Sequence, residues 1–155
     1  MAANSYVLDF NGYWLEPNVG GVPTGSGIYS VYACRYDARA NTVAIGRLLY
    51  IGEAENVKAR IAGHERWSDW TRELKVGETL CFNAAPISPA GARQRAEAAM
   101  IFHHKPPCNV EYAHSFPFDT TAVSTSGNNE LMSSSFTVRA AAARGGLAGA
   151  TLLGR

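Results

Sequence analysis

The chain has few cysteines and no long apolar stretch, and these two absences exclude several classes of protein. Its 155 residues include three cysteines, which are widely spaced and form no C-x-x-C pair. That pattern favours reduced thiols and a cytoplasmic location over a disulfide framework. No apolar run approaches the roughly 20 residues that a membrane helix requires. Because the first residues lack a basic start followed by an apolar stretch, we expect neither a signal peptide nor a membrane partner.

A strong net charge is also missing, since the formal charge is only +1. The distribution is less even: residues 35–105 contain 11 of the 14 Lys and Arg and 8 of the 13 Asp and Glu, a balance of 11 − 8 = +3. A mildly basic middle could meet phosphate groups, but many solvated surfaces have the same balance. Charge alone therefore does not decide for or against a nucleic-acid partner.

The apolar content of 46% and the length fit one globular domain. Apolar, β-branched and aromatic runs predict strands at residues 27–35, 47–54 and 78–87, of which the first two are expected to be antiparallel neighbours. A further short strand is predicted at residues 5–10. A helix is expected from about residue 55, followed by a second helical piece at residues 67–74.

The clearest helix is predicted over residues 88–104, with Ser88 as its cap and Pro89 at the first helical position. Beyond it the chain becomes polar and low in complexity, and then rich in alanine. We therefore predict an N-terminal extension at residues 1–25, a single domain over residues 26–118, and a C-terminal extension over residues 119–155 that is peripheral or disordered.

Two tripeptides mark the first two predicted strands, "GIY" at residues 27–29 and "YIG" at residues 50–52. Together with Arg60 on the following helix, Glu97 on the later helix and Asn109 after Pro-Pro-Cys, they resemble the GIY-YIG nuclease family in order and spacing. The resemblance covers about residues 26–110. It implies an α+β fold with a small three-stranded antiparallel sheet flanked by helices.

An additional His64, four residues after Arg60, is similar to the subset of that family that contains small type II restriction endonucleases. We expect the two side chains to share one face of the helix. The resemblance implies a divalent-metal-dependent endonuclease acting on DNA. A restriction enzyme of this type would be a homodimer that cuts a palindromic site.

Each matching residue has an implied role. Glu97 would bind Mg²⁺ or Mn²⁺, and a lone carboxylate suits a site with a single metal ion. Arg60 would clamp the scissile phosphate, because its charged guanidinium matches phosphate oxygens in a fork. Either Tyr29 or Tyr50 would be the general base, and the sequence does not choose between them.

Two roles are less direct. His64, with an ordinary pKa near 6.5, would take or relay a proton or bind phosphate when charged. Asn109 would fix the backbone or the geometry of Glu97 through its amide. Trp67 and Trp70 could stack on unpaired bases, although packing of a helix is the favoured interpretation.

Four residues with zinc-binding side chains offer an alternative metal site: His103, His104, Cys108 and His114. Adjacent histidines on a helix point about 100° apart, which makes them poor partners for one tetrahedral ion. The two histidines are instead expected to suit the negative end of the helix dipole.

Other functions remain open from the sequence. A structure-specific or single-strand-specific nuclease of repair or recombination would share every catalytic residue, and so would an antibacterial or anti-phage DNase. A catalytically inactive nucleic-acid-binding module is the alternative from another class. The carboxylate of Glu97 argues against that module, because it repels phosphate and binding alone does not require it.

Overall fold

The computed structural model describes residues 4–141 and has an α+β architecture built on one six-stranded mixed sheet. The strands lie in the order β3-β2-β4-β1-β5-β6, and only the β1–β5 pair is parallel. Their bounds are β1 Asn4–Leu15, β2 Gly27–Asp37, β3 Thr42–Ala54, β4 Thr79–Pro86, β5 Thr121–Gly127 and β6 Ser135–Val138. The helices are α1 Val57–Ala62, α2 Trp67–Arg72 and α3 Ala90–His104, with a 3₁₀ turn at Glu16–Gly21.

The predicted three-stranded sheet is wrong in size. The three strands predicted with it are β2, β3 and β4, which are antiparallel neighbours as expected, but β1, β5 and β6 extend the sheet beyond β4. β1 therefore lies within the sheet, although its residues were expected to belong to an N-terminal extension.

The prediction of a peripheral or disordered segment after residue 118 is likewise wrong for β5 and β6. Ser and Thr dominate β5, so the sequence resembles a polar loop. Alternate positions Thr121, Val123 and Thr125 are nevertheless buried, which gives the strand one inward face. Residues 142–155 of that predicted extension lie outside the described residues.

β2 is buried along most of its length, as its apolar sequence predicts. One face of the sheet carries α3, whose Ala96 and Met100 pack with Ile28 of β2. The opposite face carries α1 and α2, whose Ile61 and Trp70 share a core cluster with Tyr29 and Val31 of β2. Because side chains alternate along a strand, β2 contributes to both clusters.

α3 begins later than predicted and lacks the expected cap. Pro89, not Ser88, occupies the N-cap position, and no side-chain hydrogen bond caps the helix. The helix ends at His104, and Lys105 follows in the left-handed conformation. This stop agrees with the restriction that Pro106 places on the residue before it.

Two findings complete the outline of the described chain. Cys34, Cys81 and Cys108 are all free thiols. Within residues 4–141, no helix has both the length and the apolar character needed to cross a membrane.

Candidate active site

A polar pocket of about 300 Å³ opens where the end of β3 meets α1, α3 and the segment after α3. Five of the six residues singled out in the sequence line this pocket: Tyr29, Tyr50, Arg60, Glu97 and Asn109. They come from five separate segments of the chain. The fold thus brings together side chains that are as far as 80 residues apart in sequence.

The two tyrosines lie on neighbouring strands, with ring centroids 6.3 Å apart. Tyr29 pairs across the sheet with Gly52, and a side chain at that glycine would overlap the Tyr29 hydroxyl. The last residue of "YIG" therefore leaves room for the phenol of "GIY". Burial raises the pKa of both Tyr29 and Tyr50, while the charge of Arg60 opposes that effect. Both phenols are thus protonated at neutral pH in the protein alone.

Arg60 lies on α1, a helix capped by Asn56, whose side-chain oxygen accepts a hydrogen bond from the Ala59 amide at 3.0 Å. The guanidinium forms a two-pronged pair with the exposed Glu65, at 2.7 Å from Nη1 to Oε1 and 3.0 Å from Nη2 to Oε2. That pair lowers the pKa of Glu65 to about 2 and raises the pKa of Arg60 further. Both donors of the fork are therefore already held by a carboxylate that mimics the shape of a phosphate edge.

His64 does not share a helical face with Arg60, so that prediction is wrong. α1 ends at Ala62 and Gly63 is its C-cap, so His64 lies in the turn beyond the helix. Its side chain is buried, with the ring 5.2 Å from Tyr50 and 4.5 Å from Trp70 between centroids. It lies beside Tyr50 and Trp70 and is not among the residues that line the pocket.

The hydrogen bonds of His64 define its protonation state. Nδ1 accepts the Arg66 amide at 3.0 Å, so the proton of the neutral ring is on Nε2, which has no partner among the described residues. Burial, reinforced by Arg60, lowers the pKa of His64 to about 4. The imidazole is therefore neutral at physiological pH and carries its N–H on Nε2.

Glu97 is partly buried on α3. Burial raises its pKa to about 8, and the negative charges of Glu53 and Glu111 add to the effect, while Arg60 and Arg93 oppose it. The carboxyl is therefore mostly protonated at neutral pH in the protein alone. A cation beside Glu97 would lower this pKa and favour the carboxylate.

Four charged residues that line the pocket were not singled out from the sequence: Glu53, Glu65, Arg66 and Glu111. Glu53 could have been found, because it directly follows the "YIG" tripeptide at the end of β3. The other three carried no local signal, because their positions depend on the turns after α1 and α3. With Glu97 and Arg60 included, the lining has four carboxylates against two arginines.

Asn109 binds the outer edge of β3. Its amide accepts the Ile51 N–H at 3.0 Å and donates to the Ile51 carbonyl at 2.9 Å, so it replaces a missing neighbouring strand. The Cys108 amide adds a bond to the Leu49 carbonyl at 3.0 Å. These contacts fix the segment after α3 against the strand that carries Tyr50.

Glu97 is the residue best placed to hold a divalent ion. In residues 4–141, no group of three His, Cys, Asp or Glu side chains converges as a metal-ligand set. An ion at Glu97 would therefore keep most of its ligands as water, which is how Mg²⁺ is commonly held. A carboxylate with a raised pKa in an acidic pocket fits such an ion.

The residues weighed for zinc do not meet. His104 uses both ring nitrogens in main-chain hydrogen bonds, whereas Cys108 lies beside Leu49 and α2. The tryptophans pack as favoured: Trp70 is fully buried and Trp67 rests on it and on Phe82.

Comparisons of this chain with protein-family models, with curated proteins and with solved structures found no match.

Proposed function

We propose that the chain is a divalent-metal-dependent DNA endonuclease of the GIY-YIG type, which hydrolyses phosphodiester bonds at a site with a single metal ion. The observation that supports this most is the convergence of Tyr29, Tyr50, Arg60, Glu97 and Asn109 on one pocket. Metal-dependent hydrolysis of a phosphodiester uses a cation for the developing charge, a proton acceptor for water and a ligand for the divalent ion. The candidates in the lining are Arg60 for the first, Tyr29 or Tyr50 for the second, and Glu97 for the third.

Phosphate binding would begin with an exchange of partners at Arg60. The fork that now holds Glu65 presents two N–H donors with the spacing of phosphate oxygens. Glu65 is exposed, so it can leave without opening the core. The same donors would then stabilise the charge that accumulates on the phosphate in the transition state.

The phenol of either Tyr29 or Tyr50 would take the proton of the attacking water. A phenol accepts a proton only as the anion; burial disfavours that form at both tyrosines and the positive charge of Arg60 favours it, so the phenolate would depend on positive charge in the pocket. His64, whose ring centroid is 5.2 Å from that of Tyr50, would donate a hydrogen bond from Nε2 to the anionic oxygen. A divalent ion held by Glu97, when bound, would supply the Lewis acidity that activates water and neutralises the leaving oxygen.

The acidic lining favours an enzyme over an inactive binding module. Glu53, Glu97 and Glu111 repel a phosphate backbone, and binding alone gains nothing from them. A metal-dependent hydrolase needs at least one such carboxylate. The cytoplasmic location, DNA as the partner and a homodimer acting as a restriction enzyme belong to the same proposal.

An assay of the purified full chain on plasmid, duplex and single-stranded oligonucleotides tests the proposal. We expect cleavage with Mg²⁺ or Mn²⁺ and none with EDTA. Discrete plasmid fragments would indicate a sequence-specific restriction enzyme, a smear would indicate a nonspecific DNase, and cleavage of single strands alone would indicate a repair or recombination role. No cleavage of any substrate with either ion would refute the proposal.

A further inference from the structure

A buried ion pair lies beside the pocket and has no part in the function proposed so far. Nε of Arg93, on α3, pairs with Oε1 of Glu53, at the end of β3. Arg93 is only 9% exposed, whereas the side chain of Glu53 is 22% exposed and lines the pocket. The arginine is thus inside the protein, and the carboxylate is at the wall of the site.

Arg93 is itself held in place by a second hydrogen bond. Its Nη1 donates to Ser26 Oγ at 2.9 Å, and that hydroxyl donates to the Ile87 carbonyl at 2.6 Å. The chain of contacts joins the residue before β2, the end of β3, the residue after β4 and the first turn of α3. Hydrogen bonds through Arg93 and Ser26 therefore connect Glu53 to three other segments of the fold.

These contacts hold Oε1 of Glu53 in place and leave Oε2 available. Among residues 4–141, Oε1 is the only Glu53 oxygen with a hydrogen-bond partner. Glu97 lines the same pocket, and after burial itself the charge of Glu53 has the largest effect in raising the pKa of Glu97. The two carboxylates thus line one pocket of about 300 Å³, and their like charges repel each other.

A purely structural ion pair would not explain this placement. Buried ion pairs are commonly no more stabilising than apolar residues of similar size, so packing α3 on the sheet does not call for one. Within the pair, the Glu53 charge raises the pKa of Glu97 more than the Arg93 charge lowers it, so the pair disfavours the ionised form of Glu97 in the absence of a cation. A hydrated divalent ion in the pocket would offset the charge repulsion at Glu97 and would give the ion pair a function.

We propose that Glu53 is a positioning residue that accepts hydrogen bonds from the hydration shell of a divalent ion held by Glu97, with Arg93 and Ser26 fixing its orientation. This inference rests on the proposed function. Carboxylates that orient a metal site from outside the ligand set typically contribute 10- to 100-fold in metal affinity. An ion with a single protein ligand depends especially on such contacts, because most of its ligands are waters.

Binding of Mn²⁺ to the full chain without DNA tests the inference, with free Mn²⁺ measured by electron paramagnetic resonance. We expect Glu97→Gln to lose binding and Glu53→Gln to weaken it about 10- to 100-fold. Glu55→Gln is the matched control, since Glu55 carries the same charge two residues away but is exposed and outside the pocket lining. It should bind within about two-fold of the parent, as expected for a distant, screened charge.

Ser26→Ala separates positioning from charge, because it releases Arg93 Nη1 and leaves every charge in place. We expect it to weaken Mn²⁺ binding more than Glu55→Gln does. Thermal unfolding of each variant checks that it folds. If Glu53→Gln does not fold, the double variant Glu53→Gln/Arg93→Met replaces it, because it removes the buried cation together with its partner.

The outcomes distinguish failure of the proposed metal site from failure of the role of Glu53. If Glu97→Gln binds Mn²⁺ as the parent does, the metal assignment of the proposed function is wrong. If Glu97→Gln loses binding but Glu53→Gln matches Glu55→Gln, only the role of Glu53 is overturned. If Glu53→Gln weakens binding and Ser26→Ala does not, Glu53 acts through charge alone and the positioning role is refuted.

Discussion

Two clusters of polar side chains that include residues of helix α3 differ in how their hydrogen-bonding groups are used. At the C-terminal end, His104 Nδ1 donates to the Met100 carbonyl at 2.9 Å and Nε2 accepts the Ser133 amide at 3.0 Å. His103 stacks on Phe136 with centroids 4.0 Å apart and contacts the Ser133 hydroxyl at 2.8 Å. Each group has a partner, and together they hold the β5–β6 hairpin to the helix.

In the pocket, which α3 lines through Glu97 and Ile101, the polar groups are less well satisfied. Glu97 has a pKa raised to about 8, and His64, behind α1, has a buried Nε2 without a partner among the described residues. Perturbed and unsatisfied groups in a cleft are characteristic of functional sites, whereas satisfied ones are characteristic of structural contacts. We therefore expect binding and chemistry at the pocket and a role in stability for the contacts between α3 and the hairpin.

The largest effect is expected from Arg60→Ala, which removes the phosphate fork from the pocket. Loss of one charge-stabilising donor typically costs about 100- to 1000-fold in rate, so we expect a loss of that size in DNA cleavage. Steady-state cleavage and DNA binding should be measured side by side. Binding should weaken less than cleavage.

Arg72→Ala is the matched control for Arg60→Ala, because Arg72 is exposed on α2 and outside the pocket lining. It should cleave as the parent does. Equal losses of binding and cleavage in Arg60→Ala would leave Arg60 with a binding role only.

The pH dependence of stability should have opposite signs at Glu97 and at His104. Glu97 has a folded pKa of about 8 against 4.5 in the unfolded chain, so ionisation favours unfolding and stability falls as pH rises from 4.5 to 8. A pKa difference of one corresponds to about 1.4 kcal/mol, so the effect is on the order of a few kcal/mol. Burial lowers the pKa of His104, so there stability falls as pH drops below the ordinary value of 6.5.

Urea unfolding of the metal-free protein at several pH values measures both effects. Glu97→Gln should remove most of the loss between pH 5 and 8, and His104→Ala should reduce the loss on the acid side. A parent protein whose stability does not change between pH 5 and 8 in EDTA, with a profile unaltered by Glu97→Gln, would contradict the burial of that charge.

The sequence predicts the pocket better than it predicts the sheet around it. The tripeptides and the residues Arg60, Glu97 and Asn109 could be selected by type and spacing, and five of the six selected side chains do line one cavity. β5 could not be predicted, because its Ser and Thr residues form a buried face only when β1 lies beside them in the parallel pair. Its stability is a property of the sheet and not of its own residues.

His64 illustrates a second limit of the sequence. A helical period placed it on the Arg60 face, but the helix stops at Ala62 and the ring turns inward against Trp70. Such a stop depends on the packing of α1 and α2 against the sheet. The place of Glu53 directly after the second tripeptide is visible in the sequence, but its pairing with Arg93, 40 residues away, is not.

A smaller effect separates the two histidines. His104→Ala leaves the half-buried Ser133 amide without its acceptor, and a hydrogen bond of this kind contributes about 0.5–1.5 kcal/mol to stability. We expect that loss in the free energy of unfolding, with the cleavage rate of the folded protein unchanged. His64→Gln should instead reduce the cleavage rate. Slower cleavage by folded His104→Ala would show that the contacts between α3 and the hairpin also affect catalysis, which would contradict their separation from the pocket.

The smallest effect is expected at Glu65, which competes with phosphate for Arg60. Glu65→Gln weakens an exposed pair, and such pairs contribute little, so DNA binding should tighten only about two- to five-fold. Fluorescence anisotropy with a labelled duplex in Ca²⁺ measures it at several salt concentrations. The reverse result, weaker binding by Glu65→Gln, would show that Glu65 positions Arg60 instead of competing for it.

The central claim is that the pocket is a metal-dependent nuclease site with Glu97 as its ion ligand. The most direct measurement compares plasmid cleavage by the parent, Glu97→Gln and Glu55→Gln in Mg²⁺, with folding checked by circular dichroism. We predict cleavage by the parent and by Glu55→Gln, and a loss of more than about 100-fold in folded Glu97→Gln. The loss should be this large because a direct metal ligand contributes more to metal affinity than the residues that support it. Equal cleavage by Glu97→Gln and Glu55→Gln would contradict it.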